Sequence, residues 1–174
     1  MATYDASQAE CLVYTFKEGL LSKIAHDLKI RVNRFSVDID DDSRAVSASF
    51  DARSLQVECV MKDGVEAPGT LSHGDKHKIE GQIIDDVLHA GRFPDIRFTS
   101  TEVKERGDGG FDLVGDLTLH GTVKPVRVST RLVQGRQVVE VVLHQPDYGI
   151  KPFRAMMGAL KVQADVKVAL SVPA

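Results

Sequence analysis

The chain reads as a mainly β protein: an antiparallel sheet of about eight strands, closed into a barrel and carrying one amphipathic helix. Three observations lead there. Apolar and polar residues alternate through most of the 174 residues; side chains on a strand point to opposite faces with period two, so each such segment has one dry face. Turn clusters at Asp40–Ser43 and Gly107–Gly110 punctuate the alternation, as hairpin ends do. One long stretch, Ser72 to Ala90, takes helical spacing instead. A sheet with one dry face throughout forms a sandwich or a barrel. Closure removes exposed edges, and about eight strands leave room for one small ligand, so the barrel is preferred.

The elements follow in order. Leu12, Tyr14 and Phe16 share one face before Gly19, and Leu20 to His26 has the spacing of a short helical turn. Leu28, Ile30 and Val32 alternate with Lys29, Arg31 and Asn33. Phe35, Val37 and Ile39 continue with shifted phase, which predicts a bulge or bend at Asn33 and Arg34. Val46, Ala48 and Phe50 form the next inward set, followed by Ile96 and Phe98, then Phe111, Leu113, Leu117 and Leu119. A turn over Gly121 to Pro125 leads to Val126, Val128 and Leu132. Val138 to Leu143 is apolar on both faces, so it is either covered outside or placed in a subunit contact. The last strand puts Leu160, Val162, Ala164, Val166, Val168, Leu170 and Val172 on one face.

In the helix, Ile79, Ile83, Ile84, Val87 and Leu88 form the apolar stripe. Ser72 and Asp75 are spaced as an N-terminal cap, and Gly91 and Pro94 end the element. Gly81 in its interior costs about 1 kcal/mol against alanine and predicts a bend.

Composition narrows the function. The net charge of −3 offers phosphate backbones no general attraction, so nucleic acid is not an expected partner. No apolar run reaches the roughly 20 residues that span a bilayer. Met1 to Glu10 lacks the pattern of a signal peptide. The expected location is therefore the cytoplasm, or the periplasm if an export signal has been removed. Cys11 and Cys59 are too few for a disulfide framework and are expected reduced.

The motifs that could carry chemistry each have a simpler reading. His73 and His77 have metal-binding spacing on a helix, but no glutamate follows the first and His89 lies about 18 Å further along the axis. Solvated helix histidines are the default. Asp38, Asp40 and Asp42 imitate a calcium loop, yet Ser43 and Ser49 stand where glycine and glutamate are wanted. Ser22, His26 and Asp27 suggest a hydrolase triad, but adjacent helical residues point about 100° apart, which misplaces Asp27. His120 sits at a hairpin turn, facing outward or capping the loop. No catalytic site, metal site or cofactor site is recognised. Tyr148 to Gly158, with Phe153, Met156 and Met157, either plugs one end of the barrel or touches an apolar ligand.

Three segments, in this order along the chain, carry a family resemblance. They are Ala25–Leu28, Asp75 through Phe93-Pro94 to Ser100, and Gly115-Asp-Leu-Thr-Leu-His-Gly-Thr-Val-Lys-Pro-Val126. Together they resemble the YceI family of lipocalin-like, polyisoprenoid-binding proteins. The resemblance implies one antiparallel eight-stranded barrel domain over 1–174, an elongated apolar cavity for a long isoprenoid or fatty-acyl chain, and frequently a homodimer.

The expected function is non-enzymatic binding, carriage or sequestration of a long apolar lipid such as an isoprenoid, an isoprenoid quinone or a fatty-acyl chain. Burying ten methylenes offers roughly 8 kcal/mol gross, so no polar chemistry is required. Inward phases nominate Leu28, Ile30, Val32, Phe50, Ile96, Phe98, Leu117, Leu119 and Leu160, with Phe153, Met156 and Met157 at one end. His26, His120 and Arg154 are the candidate head-group contacts. The alternatives are an isomerase or cyclase using the cavity, which needs an ionisable group inside it, and a packed barrel serving protein contacts.

Overall fold

The change of phase at Asn33–Arg34 is a corner. The computed structural model describes residues 1–19 and 25–174, and in it the strand breaks there into β3 (Asp27–Val32) and β4 (Phe35–Ile39). Its antiparallel partner breaks alongside, into β5 (Val46–Asp51) and β6 (Leu55–Lys62), and pairing runs on through the bend. The Asn33 amide donates to the Ser54 carbonyl and the Asp51 amide to that of Arg34. Buried Ser54 accepts from the Arg34 amide (3.0 Å) and donates to the Asp51 carbonyl (2.8 Å), so no polar group is stranded at the bend.

The remaining strands are β1 (Ala2–Asp5), β2 (Glu10–Thr15), β7 (Val65–Ala67), β8 (Asp95–Glu105), β9 (Phe111–Leu119), β10 (Thr122–Val133), β11 (Arg136–His144), β12 (Arg154–Ala155), β13 (Leu160–Lys161) and β14 (Asp165–Pro173). Twelve form one antiparallel sheet in the order β1-β4-β5-β8-β9-β10-β11-β14-β2-β3-β6-β7, with β12 and β13 a separate ribbon. The sheet curls into a half-barrel with one dry face. The expected eight strands become twelve because β1 and β2, β3 and β4, and β5 and β6 are successive strands divided near the corner, while β7 is an added edge strand.

Tight turns join neighbouring strands. Asp63-Gly64, His120-Gly121 and Gln134-Gly135 all have positive φ at both residues, the geometry that matches the twist of two-residue hairpins. The turn expected over Gly121 to Pro125 is thus only His120-Gly121; Thr122 already pairs with Leu119, and Pro125 with Asp116. Pro125 is tolerated because the β10–β11 ladder begins only at Thr130. The last strand is also shorter than expected. It starts at Asp165, and Leu160 pairs with Ala155 in the ribbon. The turn expected over Leu20 to His26 falls mainly on residues outside those described.

Helix α1 (His73–Gly81) starts as expected, with the Ser72 hydroxyl accepting from the Asp75 amide and the Asp75 carboxylate from the Ser72 amide. It does not run to Ala90. After Gly81 the backbone widens into a π-type segment, Gln82–Val87, and ends at His89, whose φ is 47°. A widened turn behaves as a one-residue insertion, so the apolar stripe is re-aimed there. Ile79 and Ile83 pack against Leu28, Ile30, Val57 and Val60, whereas Val87 and Leu88 pack against Leu117, Leu119, Tyr148 and Ile150. The helical segment thereby bridges two core clusters across one end of the half-barrel.

Candidate functional site

Period-two alternation places one face of nearly every strand around a single cavity of about 760 Å³, within the range of small-molecule sites. β14 contributes Val166, Val168, Leu170 and Val172, β9 contributes Phe111, Leu113, Leu117 and Leu119, and β11 contributes Val139, Val141 and Leu143. On β8 the lining runs from Ile96 to Glu105, nine steps or roughly 30 Å of strand. The cavity is therefore long as well as apolar. Gly115 keeps the wall thin: a Cβ there would stand 2.6 Å from the Thr99 carbonyl and closer still to the Phe98 ring, so Phe98 lies flat where a side chain would intrude.

Of the candidate contacts, Leu28, Ile30, Val32, Phe50, Ile96, Phe98, Leu117, Leu119, Phe153, Leu160 and His26 line the cavity. Met156, Met157, Arg154 and His120 do not. Met156 and Met157 sit at positive φ in the turn between β12 and β13, and Met157 is 106% exposed. The ribbon holds that turn away from the sheet, so their apolar side chains meet solvent. Arg154 is exposed on the same ribbon. His120 instead buttresses the wall from behind: Nδ1 donates to the Tyr148 carbonyl (3.2 Å), and the ring packs on Phe93 and His89 with centroids 4.5 and 5.5 Å away. With Nδ1 carrying the proton, Nε2 is a buried acceptor that has no hydrogen-bond partner among the described residues.

The other motifs fall to local structure. Asp40 accepts from the Ser43 amide and hydroxyl at 2.7 and 2.8 Å, closing a turn. The carboxylate of Asp27 accepts from the Lys17 amide (2.7 Å); Ser22 lies outside the described residues. His77 faces Glu80 at 3.5 Å. No three His, Cys, Asp or Glu side chains among the described residues come together as a metal site. On β11, Val142 is 62% exposed while Val139 and Val141 face inward, so its apolar run divides between cavity and surface.

The two ends of the cavity differ. At the helix end the polar lining groups are Thr15, His26, Gln82 and Gln145, and Gln145 donates to the Gln163 carbonyl (3.0 Å). At the other end, formed by the turns after β4 and β8, the lining includes Asp41, Arg44, Glu105, Thr130 and Gln137. Asp41 pairs with the terminal ammonium of Met1, and Thr130 donates to Gln137 (2.6 Å). At the corner, Asp51 pairs with Arg34 and Arg53. Cys11 also lines the cavity, and burial pushes its thiol up to about 12, which keeps it neutral and apolar in character. Alternation alone reaches most of the further lining residues on β4, β10, β11 and β14; Asp41 and Arg44 carry no such signal because they stand on a turn, and Glu105 because it is a charged residue at the very end of β8.

Comparison with known proteins agrees with this architecture. The fold is similar to that of Burkholderia cenocepacia BcnA, with a TM-score of 0.67 at 15% identity over 98% of both chains. It is also similar to a polyisoprenoid binding domain from Saccharophagus degradans implicated in plant cell wall breakdown, with a TM-score of 0.58 at 13% identity over 99% of this chain and 97% of that one. In sequence, a UPF0312 protein of Vibrio vulnificus is 36% identical over 115 residues, covering 63% of this chain and 52% of the relative. A UPF0312 protein of Pseudomonas putida is 44% identical over 78 residues, covering 45% of this chain and 40% of the relative. The matched stretch thus spans about half the length of the Vibrio relative and less of the Pseudomonas one. Residues 5–174 match the model of the YceI-like domain, and the chain belongs to that family.

Proposed function

We propose that this protein binds a long apolar lipid in the cavity and carries or sequesters it without chemical change. The continuous apolar void of about 760 Å³ beneath the helix carries this reading. A barrel used only for contacts on its outside would fill its interior with side chains. The fold likeness to a polyisoprenoid binding domain points the same way for ligand class. An isoprenoid, an isoprenoid quinone or a fatty-acyl chain needs only the apolar wall, since each buried methylene contributes about 0.8 kcal/mol. A cavity enzyme would need a buried ionisable group on the wall. The carboxyl, guanidinium and imidazole groups on the lining among the described residues are those of Asp41, Arg44, Asp51, Glu105 and His26, and none of these is fully buried; the buried Cys11 thiol is held neutral by its surroundings.

Organic extraction of the purified protein followed by lipid mass spectrometry tests the reading. A stoichiometric lipid is expected, absent from an identically treated unrelated barrel and reduced in Ala48→Phe, which adds bulk to the cavity wall. A clean extract, from protein that also takes up no added quinone or fatty acid, would overturn it.

A further inference from the structure

We propose that the end of the cavity opposite the helix is a head-group site, at which Arg44 holds the anionic oxygen head of a single-chain amphiphile whose tail runs up toward the helix. This rests on the cavity reading above and adds an orientation and a head-group charge to it.

Two of the four acidic and basic chains on the lining, Asp41 and Asp51, are already satisfied. Asp51 is paired with Arg34 and Arg53, and Asp41 with the Met1 ammonium. Arg44 lines the cavity but makes no side-chain hydrogen bond or ion pair among the described residues. Its guanidinium stands 6.0 Å from the centroid of Phe111, another lining residue. An aromatic face attracts a cation without using its N–H groups. The planar fork therefore keeps its five donors for a ligand, in the geometry that suits carboxylate and phosphate oxygens.

The arginine is also held in place. Its backbone sits at φ 60°, unusual for a residue with a side chain, and its amide donates to the Asp40 carbonyl (3.0 Å). Asp40 in turn ties down Ser43. A side chain presented from a strained but braced turn is a recurrent feature of ligand sites. The helix side offers nothing comparable: no Arg or Lys lines the cavity there among the described residues, and Asp51, laddered to Asp95, is already paired with Arg34 and Arg53.

Glu105 supplies an internal control. It lines the same rim, pairs across the ladder with Phe111, and makes no ion pair with Arg44. An anionic head drawn to Arg44 is repelled by Glu105, so neutralising these two residues must change affinity in opposite directions.

The test measures binding of hexadecanoate, hexadecyl phosphate and hexadecanol to the full chain, to Arg44→Gln and to Glu105→Gln. The wild type is expected to prefer the anions over the alcohol, and added salt to shrink that preference. Arg44→Gln should weaken anion binding about three- to tenfold and leave hexadecanol unchanged, a range suited to a charged hydrogen bond at an exposed rim. Glu105→Gln should tighten anion binding. Whichever anion loses more in Arg44→Gln identifies the carboxylate or the phosphate as the better-fitted head. An unchanged anion-to-alcohol ratio in Arg44→Gln overturns the head-group site while leaving the cavity reading intact. The site is equally overturned if His26→Asn abolishes the preference instead, since the head would then lie at the helix end. If none of the three ligands binds, the cavity reading fails and the head-group site with it.

Discussion

At one end of the cavity, Ile79, Ile83, Val87 and Leu88 lie across the sheet and join two core clusters; at the other, Asp41 and Arg44 on a turn and Glu105 at the end of β8 stand around the rim. The helix end is closed by packing. The turn end is organised by hydrogen bonds: Asp40 accepts from Ser43 within one turn, and Arg106 donates to Asp112 (2.7 Å) and, across to β10, to the Thr130 carbonyl (2.6 Å). Apolar packing is shared among elements distant in sequence, whereas a hydrogen-bonded turn is self-contained. Packing between distant elements therefore closes the helix end, while the charged side chains of the rim stand outside the core cluster of Cys11, Val37, Ala48 and Val172 and can change without unsettling the fold.

The largest contrast lies between two truncations. Ile30, 2% exposed beneath the helix, should lose about 2–4 kcal/mol on replacement by alanine. Leu132, 48% exposed at the turn end, should lose less than about 1 kcal/mol. Urea unfolding of both variants measures the difference; equal losses would break the distinction between the ends. A narrower probe is Glu80, whose carboxylate accepts from the Val57 amide (2.9 Å) and ties α1 to β6. Glu80→Ala should cost about 1–2 kcal/mol, because it leaves that amide without its partner. Hydrogen exchange should then speed up over residues 73–87 and not over 106–111. Ser72→Ala, which removes the helix cap, should cost about 1 kcal/mol in thermal melts and loosen only the helix end.

The smallest effect is electrostatic. On the outer face of β3 and β6, burial raises the pKa of Glu58, but hydrogen bonds from Arg31 and Lys29 outweigh it and hold the carboxyl below its usual range. A carboxylate with a lowered folded pKa stabilises the fold above its unfolded value, and that contribution disappears as pH falls through the folded value. The pairs are partly solvated, with Glu58 28% exposed, so the contribution is below about 1 kcal/mol. Glu58→Gln should therefore flatten the fall in stability between pH 5 and pH 3, by about that amount. An acid slope identical to wild type would remove this network from the forces that hold the helix side.

Much of this architecture is legible in the chain. The shift in phase between Val32 and Phe35 marks the corner, and the Ser72–Asp75 pair marks the start of α1. β6 and β7 escape the alternation rule, although Asp63-Gly64, a strong hairpin dipeptide, lies between them. Their apolar run is divided between the sheet and the helix packed upon it, which blurs the period. The α-helix ends at Gly81 rather than near Ala90, because spacing alone does not separate an α turn from a π turn. Met156 and Met157 have the chemistry of cavity residues, but their position depends on how β12 and β13 fold back.

The dry face of most strands, the place of most turns and the family are written in the order of the residues. Period and turn chemistry are local properties, and each residue carries them wherever the strand ends up. It took the folded sheet to make the dry faces enclose a void rather than meet, to set His120 bracing the wall instead of lining it, and to bring Arg44 to the rim beside Phe111. Those outcomes depend on strand order and on the corner that brings distant segments together, and no periodicity encodes them.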